Sequence, residues 1–149
     1  LTDQESIDRI VERFRTVQGN RTVEVMSRGT VIVDENVQAL AGALRKRNLR
    51  VIIPRQGMDD ATIKSELLPH RIFITKNAKD FVYEASSYEY GIIALENLSF
   101  IDPEPDPTKN KTAQIISKAI IDHGLWSKRH GFILILNENG GHQYHELTS

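Results

Sequence analysis

Thr30-Val31-Ile32-Val33-Asp34-Glu35-Asn36 is the stretch from which the rest of the chain is read. Its first four residues are all β-branched and read as a buried strand, which the polar run after Val33 stops. Residues 37–47 follow as a helix with Leu40, Ala41 and Leu44 on one face. Residues 50–54 read as a second buried strand. Gly57-Met58-Asp59-Asp60 is a turn into a short helix that ends at Leu67 or Leu68, with Asp59 or Asp60 as its cap. Residues 71–75 make a third strand, 79–86 a short helix and 91–95 a fourth strand. Strands alternating with helices predict an α/β fold around a mainly parallel sheet. Right-handed crossovers bring the C-terminal strand ends to one edge, where such sheets bind ligands.

Outside this centre the pattern continues. Residues 2–17 read as an amphipathic helix through Ile7, Ile10, Val11, Phe14 and Val17, with Thr2 and Glu5 as a capping box. Residues 21–26 read as a short strand. Pro103-Glu104-Pro105-Asp106-Pro107 reads as a stiff connector. A helix over 112–123, a strand over 131–136, an Asn-Gly turn and a return strand over 143–147 complete the chain. The expectation is one domain over 1–149: a core over about 30–100, an N-terminal helix over 1–20, and a C-terminal helix and hairpin extension over 103–149.

Composition narrows the function. At 149 residues, with 40% hydrophobic and 26% charged side chains, the chain is of globular and not disordered or fibrous type. The absence of cysteine excludes disulfides, thiolate zinc sites and cysteine nucleophiles. No apolar run is long enough to span a bilayer, so no membrane partner is expected and the protein reads as cytoplasmic. The net charge of −1 gives no overall pull toward nucleic acid, but the charges are segregated. Arg45, Lys46, Arg47, Arg50 and Arg55 lie in a stretch, 36–58, that has no acid, whereas 80–106 carries seven acids and no Lys or Arg. Solvated helix faces account for such runs; so does a basic rim beside an acidic site.

Three clusters carry chemistry. Asp34-Glu35 ends the first strand, where a carboxylate either caps the next helix or holds a cation at the sheet rim. Thr75-Lys76-Asn77-Ala78-Lys79-Asp80-Phe81 follows the third strand in the same way. Asp59-Asp60 either serves the helix dipole or adds a further carboxylate. Hard cations require several oxygen ligands, and crowded acids repel one another without one.

Together, these stretches resemble the small PIN-like nucleases. Val31-Ile32-Val33-Asp34-Glu35-Asn36, then Leu44-Arg45-Lys46-Arg47-Asn48-Leu49-Arg50-Val51, is similar to that family's opening strand, helix and turn into a second strand. Asp59-Asp60-Ala61-Thr62-Ile63 resembles its acidic helix start. Arg71-Ile72-Phe73-Ile74-Thr75-Lys76-Asn77-Ala78-Lys79-Asp80-Phe81 resembles its strand with Thr-x-Asn-x-x-Asp-Phe, and Gly91-Ile92-Ile93-Ala94-Leu95 its last core strand.

The resemblance implies a three-layer α/β sandwich and a magnesium- or manganese-dependent ribonuclease, often the toxin of a toxin–antitoxin pair. It implies Asp34, Asp60 and Asp80 as catalytic acids, with Asp34, Asp60, Asn77 and Asp80 as metal ligands. Glu35, Asn36, Asp59, Thr75 and Asn77 would support them. Lys76, Lys79, Arg45, Lys46 and Arg47 would engage the RNA backbone. Asn77 stands where many members carry an acid, and it is a weaker, neutral ligand. A silent PIN-like module that binds RNA or protein is the alternative. A receiver-like domain ranks lower, because the third strand ends in Thr75-Lys76-Asn77 and lacks an aspartate to accept a phosphoryl group.

The partners implied are an RNA substrate and an antitoxin or immunity protein, with self-association left open. Because the chain starts at Leu1, it also admits the reading of a module cut from a larger delivered protein. The offset of three between His142 and His145 puts them on opposite faces of a strand, which argues against zinc binding by that pair. Trp126-Ser127-Lys128-Arg129-His130 reads as a buried aromatic anchor with a solvated basic tip, or as a place where an RNA base stacks.

Overall fold

The computed structural model describes residues 26, 28–98, 106–138 and 140–147. Strand β1 (Thr30–Val33) leads into a 3-10 segment (Glu35–Leu40) and helix α1 (Ala41–Arg45). Strand β2 (Arg50–Ile52) precedes helix α2 (Asp60–Thr62), which widens into a π turn (Ile63–Leu67). Strand β3 (Ile72–Thr75) is followed by a 3-10 turn (Ala78–Asp80), helix α3 (Ala85–Tyr88) and strand β4 (Gly91–Ala94). Helix α4 (Asp106–Asp122), a 3-10 turn (Leu125–Ser127) and strands β5 (Gly131–Leu136) and β6 (His142–Leu147) complete the fold.

The strands form one sheet in the order β2-β1-β3-β4-β5-β6. The first five are parallel, and β6 returns antiparallel to β5. The chain steps from β1 out to β2, then crosses back over β1 to β3. The direction of winding therefore reverses between β1 and β3, and doubly wound sheets open a crevice at such a point.

Alternation along the strands divides the apolar side chains between two cores. Val31, Val33, Ile72, Ile74 and Ile93 pack with Leu40 and Leu44 beside α1 and with Ala113, Ile116 and Ile120 of α4. Ile32, Phe73, Ile92 and Ala94 face the other way, onto Ile63, Leu68, Phe81 and Ala85. Helices thus cover both faces of a mostly parallel sheet, as the α/β reading expects. Tyr90 is buried beneath the second layer, where its hydroxyl donates to the Phe81 carbonyl and burial pushes its phenol pKa up.

Several local expectations are corrected. The helix read over 37–47 is a 3-10 segment followed by one turn of α-helix, because Val37, at φ −131°, interrupts the helical geometry. Strand β2 stops at Ile52, short of the expected Pro54. The helix read over 79–86 is split into the 3-10 turn and α3. Between them Phe81 leaves helical geometry and buries its ring 4.6 Å from that of Phe73. The helix expected over 112–123 begins at Asp106, so Asp106 and Pro107 belong to α4 and not to a connector. Proline suits a first helical turn, where its missing N–H costs nothing.

The segment after 103 is not an appendage, since β5 pairs along β4 and buries Phe132, Leu134 and Leu136. The fourth strand is therefore not the last of the core. The N-terminal helix read over 2–17 and residues 21–25 of the strand read over 21–26 lie outside the described residues, and Met26 is in no strand. Among the described residues no helix is long and apolar enough to cross a membrane.

Two glycines mark close approaches, one between layers and one between the paired strands β4 and β5. A Cβ on Gly131 would collide with the backbone carbonyl of Ala85, and one on Gly91 with the Phe132 ring. Gly42, in α1, has open space around it. Gly131→Ala is expected to destabilise the fold by about 1–3 kcal/mol, because the atom it meets is main chain and cannot turn away. Gly42→Ala is expected to stabilise by about 0.5–1 kcal/mol through lost unfolded-state entropy. Urea unfolding midpoints of the two variants should move in opposite directions.

Candidate functional site

The site is built where the C-terminal ends of β1 and β3 lie side by side. Asp34 follows β1 directly, and its N–H donates to the Ile74 carbonyl at 3.0 Å, which anchors it against β3. Its Oδ1 accepts the Glu35 N–H at 2.8 Å, and its Oδ2 accepts the Thr75 hydroxyl at 2.7 Å. Thr75 is wholly buried at the end of β3, so its hydroxyl needs partners inside the protein. It finds a second one in the Asn77 N–H, which donates to its Oγ1 at 2.9 Å. The Asn77 side-chain amide then donates to Asp80 Oδ2 at 2.5 Å. A chain of hydrogen bonds thus runs from Asp34 through Thr75 and Asn77 to Asp80. Beside it, after β4, Glu96 accepts the Ala78 N–H at 2.7 Å and caps the 3-10 turn.

On the other flank, Asp34, Glu35 and Asp60 line one pocket of 50 Å³ with Arg55, Met58 and Ile63. The neighbouring acids Asp59 and Asp60 have divided their roles. Asp59 is the N-cap of α2, and its Oδ1 accepts the Thr62 N–H at 2.7 Å. That bond holds its carboxyl below the usual pKa range. Asp60, one residue on, is left to the pocket.

The structure therefore brings together Asp34, Glu35 and Asp60, and separately links Asp34 to Thr75, Asn77 and Asp80. Asn36 accepts the Lys76 N–H at a long 3.5 Å. Lys79 is exposed and, with Glu96, flanks a 280 Å³ groove floored by Ile133 and Ile135. Arg45, Lys46 and Arg47 lie elsewhere. They end α1 and lead into Arg50 at the start of β2, whose N–H donates to Gly29 ahead of β1 at 2.7 Å. They therefore sit at the N-terminal edge of the sheet, a strand length from Asp34, roughly 13 Å for four residues.

Sequence reasoning passed over two residues of this edge. In the sequence Arg55 stands out only as part of a basic stretch, and Glu96 only as part of an acidic one. Position relative to the strands was the available signal: both follow a strand within three residues, as Asp34 does.

Among the described residues no three His, Asp or Glu side chains converge closely enough to cage a metal ion. Asp34 and Asp60, with Glu35 on the same small pocket, are the residues that could hold a hard cation. Magnesium commonly binds through one or two carboxylates, keeps several waters and takes its remaining oxygens from phosphate.

Comparison with known protein families, with curated proteins and with solved structures gave no match to this chain.

A second polar contact lies away from this edge. His123, just past α4, places Nε2 3.0 Å from Nδ1 of His142, and its ring stacks on Tyr144. His145 takes no part in it. Burial lowers the His123 pKa, aided by His142 and Lys128 and opposed by Asp122.

Two outcomes follow. Thr75→Val keeps the shape but strands the Asp34 carboxylate and the Asn77 N–H, and should cost about 1–3 kcal/mol in chemical denaturation, whereas Thr75→Ser should restore most of it. The lowered His123 pKa means that the unfolded chain binds the extra proton first. The stability it contributes is present above the ordinary histidine pKa of 6.5 and is lost as pH falls below it. Thermal midpoints should drop on going from pH 7 to pH 5, and less so in His123→Gln.

Proposed function

We propose that this chain is a divalent-metal-dependent ribonuclease working at the Asp34 pocket, with the PIN-like resemblance as its family reading. One observation carries this. Asp34 is fixed by the buried Thr75 hydroxyl at the β1–β3 switch and shares a polar pocket with Asp60 and Arg55. In this reading Asp34 and Asp60 hold the ion, and Glu35 adds negative charge beside it. Magnesium or manganese, when bound, supplies positive charge at the scissile phosphate and makes water more acidic.

The protein's own groups do the rest. Thr75 sets the orientation of the Asp34 carboxylate. Arg55 presents a planar fork of donors to the non-bridging phosphate oxygens. Lys76 and Lys79 meet the adjoining backbone. Asn77 and Asp80, bonded to each other, hold the turn that aims these lysines. A cytoplasmic toxin restrained by an antitoxin, or a delivered toxin with an immunity protein, is the setting this activity fits.

The second reading, a silent module that binds RNA or protein, is favoured by Asn77 engaging Asp80 and by the lack of a three-acid cluster among the described residues. A cleavage assay on total RNA separates the two. With manganese the wild type should cut. EDTA should abolish cutting, and Asp34→Ala should lower it about 10²-fold or more, as loss of one preorganised charge does elsewhere. Equal cleavage under all three conditions removes the mechanism, and binding without cleavage selects the silent module.

A further inference from the structure

The sheet separates charge between its two edges. The carboxylates of Asp34, Asp60, Asp80 and Glu96 gather where the parallel strands end. Where those strands begin, the exposed charges are mainly basic. Arg45, Lys46, Arg47 and Arg50 stand at the β2 end of that edge, and Arg28 precedes β1. Lys128 and Arg129 precede β5. Among the described residues none of these seven is drawn into an ion pair, although Lys128 also lies 4.6 Å over the Tyr144 ring.

The acids toward that edge are Glu66 ahead of β3, Glu89 ahead of β4, Asp122 at the end of α4, which pairs with Lys118 at 2.8 Å, and Glu146. Glu89 lies 3.9 Å from His70 and 3.8 Å from His130, and Glu146 is at the end of β6. Arg71 is tied to the Leu67 carbonyl at 2.7 Å. From β2 to β5 there are four inter-strand steps, so the band is roughly 19 Å long. At its β5 end lies a recess of 180 Å³ lined by Lys128, Arg129, His130, Tyr144 and Glu146.

We propose that this N-terminal edge is a docking track for the phosphate backbone of single-stranded RNA, separate from the acidic pocket. Arg45 also donates to the Val51 carbonyl at 3.2 Å, as Arg71 does to that of Leu67, and cations held in a row without counter-charges cost self-repulsion, which a polyanion relieves while releasing its own counterions. Five of the seven are arginines, whose planar forks match phosphate oxygens better than an ammonium does. The recess sets Tyr144, stacked on His123, beside Lys128 and Arg129, and a base stacking there would replace the Lys128 ammonium over the ring, the aromatic and cationic combination single-strand binders use. The track rests on the reading of the chain as acting on RNA, but not on its cleaving RNA. It places affinity at one edge and chemistry at the other, so a strand long enough to reach both would be held better than a short one.

The test is fluorescence anisotropy of a labelled oligouridylate in EDTA, where no cleavage can contribute. Wild-type affinity should fall with salt, with a log–log slope of about −2 for three phosphate contacts on a single strand. Arg47→Glu combined with Arg129→Glu should weaken binding about tenfold or more. Lys109→Glu combined with Lys111→Glu, the same charge change near the start of α4, should stay within about twofold of wild type. Should the glutamate pair fail to fold by circular dichroism, Arg47→Gln with Arg129→Gln serves instead. Because the anisotropy is read in EDTA, it reports binding whatever the cleavage assay shows, so failure of the nuclease reading and failure of the track are distinguishable. The track is overturned if wild type does not bind RNA, if both variant pairs lose affinity equally, or if polyglutamate of matched charge displaces the RNA as well as unlabelled RNA does, which would assign the edge to an acidic protein.

Discussion

Everything in this fold depends on β1 and β3 lying side by side with both faces covered. Val31, Ile32 and Val33 pair with Ile72, Phe73 and Ile74, and all six are fully buried. Each such side chain removed from water is worth about 1.5–3 kcal/mol, so the pair forms the stiff centre of the sheet. A slip of one residue would exchange the two cores and turn every apolar contact to the wrong layer. Register is therefore strongly specified at this point, and the polar residues that follow each strand inherit it. Asp34 meets Thr75 because Val33 meets Ile74.

That inheritance explains why a buried hydroxyl can organise an exposed acid. Thr75 has no water available, so its oxygen is committed twice, once as donor to Asp34 and once as acceptor from Asn77. The acids next to it are not built as a closed cage. They form a loosely gathered rim, with Asp60 entering from α2 and Asp80 held aside by Asn77.

Parallel topology also sorts charge along the strand direction. All five parallel strands begin at one edge and end at the other, so residues that precede strands and residues that follow them are kept apart by the sheet itself. The basic stretch near β2 and the basic residues before β5 are far apart in sequence, yet they reach the same edge. Glu96 and Asp34 reach the opposite one by the same rule. The rim and the acids that charge counting alone would place together are thus on opposite sides of the molecule.

The sequence by itself determined where most strands of the sheet lie, though not the end of β2. Thr30–Val33 and Gly131–Leu136 are legible to the residue, because β-branched and apolar runs bounded by polar turns have only one economical conformation in a folded chain. It also determined that Asp34 and the Thr75–Asp80 stretch would share an edge, since parallel strands joined by right-handed crossovers permit nothing else. The short helical pieces were far less legible. Whether residues 35–45, 60–67 and 78–88 wind as 3-10, α or π turns depends on which side chain must reach the core, and Phe81 abandons helical geometry to do so. Only the tertiary structure decided that β5 continues the sheet beside β4, that Asp59 caps while Asp60 faces the pocket, and that Arg55 and not Arg47 stands beside Asp34. These are matters of strand order and side-chain aim. They are fixed by long-range packing, which a local pattern of residues does not encode.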